Sequence, residues 1–315
     1  MSILFERTRS FIYRNARPLD LARWQYHFEN GSKEAVLTTL ACYQNTDGGF
    51  GHALEPDAWN PESSPIQTWA ATEVLREIAF TDRDHPIIQG VLHYLASGRD
   101  FADGFWFNSV AGNNDHPHAP WWHFDSSVSS RQSYNPTACL AGFILRFAAC
   151  ESELHQLGCR IAREACDTYL GQDLLDDMHT AACYLRLSQY CVESGLDDLI
   201  DLNALEKRLR DQVHHSITKD TTVWDASYSC RPSQFLNSRH SVFYLDNREL
   251  ADFECCFIRS SQLPDGSWSI PWSWKEYPEA WPISRNWWKA DVAIKNLLYL
   301  RGLGDESVPA RAQSG

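Results

Sequence analysis

The chain has 315 residues, and its 28 Lys and Arg against 41 Asp and Glu leave a net charge of −13. A content of 43% hydrophobic and 22% charged residues belongs to a folded globular chain and excludes disorder. The negative balance without a basic run repels phosphate backbones and anionic lipid, so nucleic acid is not an expected partner.

At the N-terminus, MSILFERTRSF sets Glu6, Arg7 and Arg9 where an export signal is apolar. No run of about 18 apolar residues occurs anywhere, so a cytoplasmic chain without a transmembrane segment is expected. The ten cysteines are scattered, most of them in apolar helical text, and read as reduced thiols with no disulfide. Only Cys255 and Cys256 are adjacent.

The first stop signal is Gln44-Asn45-Thr46-Asp47-Gly48-Gly49-Phe50-Gly51. Asp and Gly supply a turn there, and the aromatic ring is expected to fold back on the preceding helix. Directly after it come His52, Glu55 and Asp57 in the segment GHALEPD. A carboxyl beside an apolar cavity is suited to general-acid work. With Pro56 between them in extended backbone, Glu55 and Asp57 are expected to diverge, so that one of them, Asp57 for preference, reaches the cavity. The alternative is that both acids cap neighbouring turns.

Ser64-Pro65-Ile66-Gln67 opens a helix to about Ile78, with a capping Ser and Pro at the first helical position. A degenerate copy of the stop signal follows at Asp103-Gly104-Phe105-Trp106. Next, His116, His118, Trp121 and Trp122 crowd into HPHAPWWH, a segment stiffened by two prolines. His116 and His118 read as acid/base or orienting partners of a carboxylate, the alternatives being hydrogen-bonded structural groups or, from their alternation, a pair of metal ligands, while Trp121 and Trp122, with His52, read as substrate-binding. The GHALEPD and HPHAPWWH loops are expected to meet.

Asn135-Pro136 begins a helix to about Cys150 with one charge in fifteen residues, apolar all round and therefore buried on every side. From Leu154 to Leu170, the apolar stripe Leu154, Leu157, Ile161, Ala165 and Tyr169 opposes Arg160, Arg163, Glu164 and Asp167, which predicts a half-exposed helix. Met178 to Val192 is again nearly uncharged, and Ala204 to His215 is again charged. This alternation predicts an all-α fold, an inner ring of helices wrapped by an outer one.

A second clear copy of the stop signal is Gln262-Leu263-Pro264-Asp265-Gly266-Ser267-Trp268. The closing stretch is rich in Trp. Of these, Trp272, Trp274, Trp287 and Trp288 are candidate ligand-contacting rings, because ring faces hold cations and stack on sugars; core packing is the competing role for each. Trp287 and Trp288 are expected to begin a helix. With no Ser/Gly-rich linker, residues 1–304 read as one domain and 305–315 as a loose tail.

The Q-x-x-D-G-G-F-G and Q-x-x-D-G-S-W segments resemble the repeat of the prenyltransferase β-subunit and squalene/terpenoid cyclase superfamily. The texts ARPLDLARWQYHFENG, GHALEPD and HPHAPWW are similar to a bacterial branch of it, and the likeness covers roughly residues 20 to 303. It implies an α/α toroid of five or six helix pairs and an apolar, isoprenoid-type ligand in an aromatic-lined cavity. The sequence departs in part from the superfamily's chemistry. The D-x-D-D acid motif is absent, Asp220-Thr221-Thr222 being only a fragment of a variant, and Asp176-Asp177-Met178-His179 stops short of D-D-x-x-D. Asp177, His179 and Cys183 echo a zinc set but share one helical neighbourhood, so no metal and no cofactor are expected. Three functions stand: a cyclase- or prenyltransferase-like enzyme with a carboxylic general acid, a carbohydrate-active α/α-barrel enzyme using two carboxyls, and a non-catalytic small-molecule-binding scaffold.

Overall fold

Side-chain caps set where the helices start. Ser2, Ser32, Ser64, Ser152 and Asp177 each accept a first-turn backbone N–H, and proline stands at the opening of four helices. In a computed structural model that describes residues 2–127 and 133–309, these signals produce eleven α-helices. They are α1 (Ile3–Asn15), α2 (Pro18–Phe28), α3 (Lys33–Ala41), α4 (Pro65–Glu77), α5 (Pro86–Ala96), α6 (Tyr134–Phe147), α7 (Glu153–Gly171), α8 (Met178–Glu193), α9 (Leu202–Ser216), α10 (Arg248–Ser260) and α11 (Trp281–Gly302). The described chain is all-α apart from a two-stranded hairpin, β1 (Phe101–Ala102) with β2 (Phe105–Trp106), and isolated bridges. No described helix is long and apolar enough to cross a membrane.

The chain divides into two compact units, one from Met1–Cys42 with Ile217–Gly315 and one from Tyr43–Ser216. In the middle unit α6 packs chiefly on α8 and α7, and α8 on α9. Every residue of α6 from Pro136 to Leu145 is buried, as its uncharged sequence requires. On α7 the buried face runs through Ile161, Ala165 and Tyr169, while Arg160, Arg163, Glu164 and Asp167 face water. In the other unit α1 and α2 pack on α11, and α2 on α3. α11 starts at Trp281, so Trp287 and Trp288 lie within it rather than at its head; Pro282 marks the true start.

The two clear copies of the stop signal fold alike. Gln44 Nε2 donates to the carbonyls of Gly48 (2.9 Å) and Ile87 (3.2 Å), the latter on α5. Gln262 Nε2 likewise donates to the carbonyls of Gly266 (3.1 Å) and Leu4 (3.0 Å), the latter on α1, and to Thr8 Oγ1. Asp47 accepts the Gly49 N–H at 3.0 Å and Asp265 that of Ser267 at 2.9 Å. Gly48 and Gly266 have φ of 87° and 94°, and a Cβ on them would sit 2.1 Å from the Gly90 oxygen and 2.2 Å from the Arg7 oxygen. Glycine is required twice over, by backbone conformation and by close approach. The ring folds back as expected at Trp268, whose indole N–H donates to the Ile258 carbonyl on α10 at 2.8 Å.

The degenerate copy behaves differently. Asp103 and Gly104 both take positive φ, 54° and 88°, and close a two-residue hairpin with Phe101 opposite Trp106. The residue four before its Gly is Asp100 rather than Gln, so the amide that pins the other two corners is missing.

Candidate functional site

The GHALEPD segment is held by buried amides of the middle unit. Gln67, on α4, accepts the Leu54 N–H at 2.9 Å and donates to the Asn60 carbonyl at 2.9 Å, and the same carbonyl accepts the His52 N–H. Two consecutive non-glycine residues, His52 and Ala53, have φ near +60°. Such residues are strained and persist only where their surroundings over-determine them. His52 is exposed, its Nε2 lying 2.9 Å from Asn45 Oδ1.

Glu55 and Asp57 are both buried, at 7% and 1% exposure. The expected extended backbone between them is not found. Ala58 N–H donates to the Glu55 carbonyl at 3.1 Å, closing a turn, and the Glu55 carboxylate curls back to accept the Asp57 N–H at 2.8 Å. A carboxylate satisfying a backbone donor two residues on is a local bond that competes with extension.

The second loop lies against the first. Ala58 and His118 form an antiparallel bridge, Ala119 N–H donates to the Asp57 carbonyl at 2.8 Å, and Trp59 N–H donates to that of Pro117 at 2.9 Å. Residues opposite in such a pair share a face and successive residues alternate, so His118 falls on the face of Ala58 and Asp57 on the other. Behind the bridge, Asn60 Nδ2 donates to Asn113 Oδ1, and Asn113 and Ser109 both donate to the Trp122 carbonyl. Trp121 is exposed and Trp122 half-buried, with its indole nitrogen buried and without a hydrogen-bond partner among the described residues. His118 is buried and His116 half-buried; His118 Nδ1 faces the His116 carbonyl rather than its ring.

Asp177 is the α8 N-cap, accepting from His179 N–H (3.0 Å) and Thr180 N–H (3.2 Å), while Asp176 is exposed. Cys183 is buried, and hydrogen bonding with Cys139 together with burial pushes its thiol well above the usual range, away from the thiolate a metal needs. Among the described residues no three His, Cys, Asp or Glu side chains converge as a metal set. None of the ten cysteines is bridged.

In the other unit, Trp272 stands edge-to-face with Tyr228 and Trp288, each at 5.3 Å. Trp274 is buried against Trp281 and Tyr277, a packing role. Trp287 lies under the Arg17 guanidinium at 5.2 Å. That arginine opens an ionic cluster which reading the sequence passed over. Asp20 bonds Arg17 (2.9 Å) and Arg23 (3.0 Å), Arg23 reaches Asp291 (2.9 Å), and Asp291 pairs with Lys295 (2.8 Å). Asp20 and Arg23 stand three apart on α2 and Arg17 three before Asp20 at its N-cap, a spacing that brings the three together and was the available signal. Glu254 was also missed: burial pushes its carboxyl up, against Arg231 and the Ser233 N–H and hydroxyl, which favour the charged form.

Comparison of the chain with protein-family models, with characterised proteins and with solved structures finds no match.

Proposed function

We propose that this chain is a cytoplasmic enzyme of the prenyltransferase and terpenoid-cyclase kind, its helices closing as an α/α toroid around an apolar, isoprenoid-type substrate. The observation that carries the reading is the burial of Asp57, beside a buried Glu55, in a strained loop that directly follows the superfamily-like repeat corner. Strain and buried acids concentrate where chemistry is done.

In this reading Asp57 is the general acid. Its O–H bond breaks as a C–H bond forms at a substrate alkene, and the cation left behind is stabilised by the faces of rings carried on the same loops, Trp59 and Trp122. Glu55 is a positioning residue, because its carboxylate receives the Asp57 N–H and sets the turn. Exclusion of water keeps the cation from being quenched.

The test is a conversion screen of purified protein against allylic diphosphates, acyclic polyprenes and a parallel panel of glycans. Conversion of an isoprenoid, falling at least about a hundredfold in Asp57→Asn, is the expected result. Conversion of a glycan alone, or full turnover by Asp57→Asn, overturns the proposal.

A further inference from the structure

His118 and His123 are brought together by local chain geometry. The bridge to Ala58 fixes His118, and a 3-10 turn over Pro120–Trp122 then reverses the chain. Beyond the turn, Asn114 pins the next residue, bonding the Phe124 N–H at 2.8 Å and its carbonyl at 2.9 Å. As a result His118 Nε2 lies 3.1 Å from His123 Nδ1, with 19° between the ring planes. His118 Nδ1 is 2.7 Å from the His116 carbonyl, so this nitrogen carries the proton and Nε2 presents its lone pair. A ring nitrogen that donates to a backbone carbonyl while the other faces outward is the usual orientation of a metal-bound imidazole.

We propose that His118 Nε2 and His123 Nδ1 are a two-imidazole site for a divalent transition ion, Zn2+, Cu2+ or Ni2+. Two nitrogens 3.1 Å apart, each about 2.0–2.1 Å from a shared ion, subtend roughly 100° at it, between the octahedral and tetrahedral angles. Imidazole suits these ions. His123 takes the Nε2–H tautomer, which its exposed ring allows, and that exposure gives the ion its path in. Water completes the coordination, since no third His, Cys, Asp or Glu converges on the pair among the described residues. The pair is not the alternating His116 and His118 of the sequence. His116 acts through its carbonyl, as the group that orients His118.

The competing account is a proton on His123 Nδ1 shared with His118, and metal titration separates the two. Metal-stripped full-length protein is titrated with Cu2+ and with Zn2+ by calorimetry, and the Cu2+ form is examined by electron paramagnetic resonance. One saturable equivalent with couplings from two nitrogens is expected. His123→Gln, at an exposed position that leaves the Ala58 bridge intact, should weaken binding at least about tenfold, and His118→Asn likewise. His116→Ala should leave it unchanged, as should replacing His214 and His215 by Ala. No saturable equivalent, or one that survives His123→Gln in a protein that melts as the parent does, overturns the proposal, as does an equivalent lost only with His214 and His215.

Discussion

The two intact corners, Gln44–Gly51 and Gln262–Trp268, share a hydrogen-bond pattern and diverge immediately after it. Each has a Gln amide on a Gly carbonyl and on a neighbouring helix, an Asp on a backbone N–H, and a glycine pressed against a helix carbonyl. After the second, the chain continues into the Trp-rich stretch, where Trp274 is buried against neighbouring rings. After the first, it enters two left-handed residues, a carboxylate-closed turn and a bridge to a histidine loop. Under the proposed function this difference is a division of labour, in which the repeated part is scaffold and the unrepeated part carries the chemistry.

Replacing the pressed glycines tests the scaffold half most severely. Gly48→Ala and Gly266→Ala should each cost about 3 kcal/mol, strain at positive φ adding to a clash with backbone that cannot give way. Chemical denaturation measures this, and a loss below about 1 kcal/mol at either site breaks the equivalence of the corners. Removal of the amides comes next. Gln262→Ala should cost about 2 kcal/mol and Gln44→Ala somewhat less, since among the described residues the first amide donates to three acceptors and the second to two. A reversed order in thermal melts shows that the amides do not act as equivalent pins.

The smallest effect is one of pH. Partial burial pulls the Asp265 carboxyl upward, but Ser267 and Lys289 outweigh it and hold it below the usual carboxylate range. A depressed folded-state value stabilises above the unfolded one and is lost as pH falls through the folded one. The side chain is half exposed, so the contribution is at most about 0.5 kcal/mol. The stability gap between the parent and Asp265→Asn should therefore be present at pH 6 and shrink below about pH 4, and a gap that widens in acid contradicts the assignment.

Helices with local punctuation were legible from sequence. Ser64-Pro65 and Asn135-Pro136 mark α4 and the helical run of α6, and the charge pattern separated α6, buried from Pro136 to Leu145, from half-exposed α7. What failed depended on partners far along the chain or on a local bond that outweighed a local preference. A turn over Glu55–Ala58 with Pro56 at its second position, closed further by Glu55 accepting the Asp57 N–H, stands where an extended run was expected. The partners in the Ala58–His118 bridge and in the Arg23–Asp291 ion pair are too far apart in the chain for any local period to register them. The histidine pair depends on a 3-10 turn that brings together residues five apart, where alternation had paired residues two apart.

The division between scaffold and site is tested most directly by measuring substrate conversion for Asp57→Asn and Asp265→Asn side by side, at a temperature where both are folded. We predict that Asp57→Asn loses at least about a hundredfold in turnover with an unchanged melting temperature, while Asp265→Asn stays within about twofold of the parent. Equal losses in the two variants, or full turnover by Asp57→Asn, would contradict it.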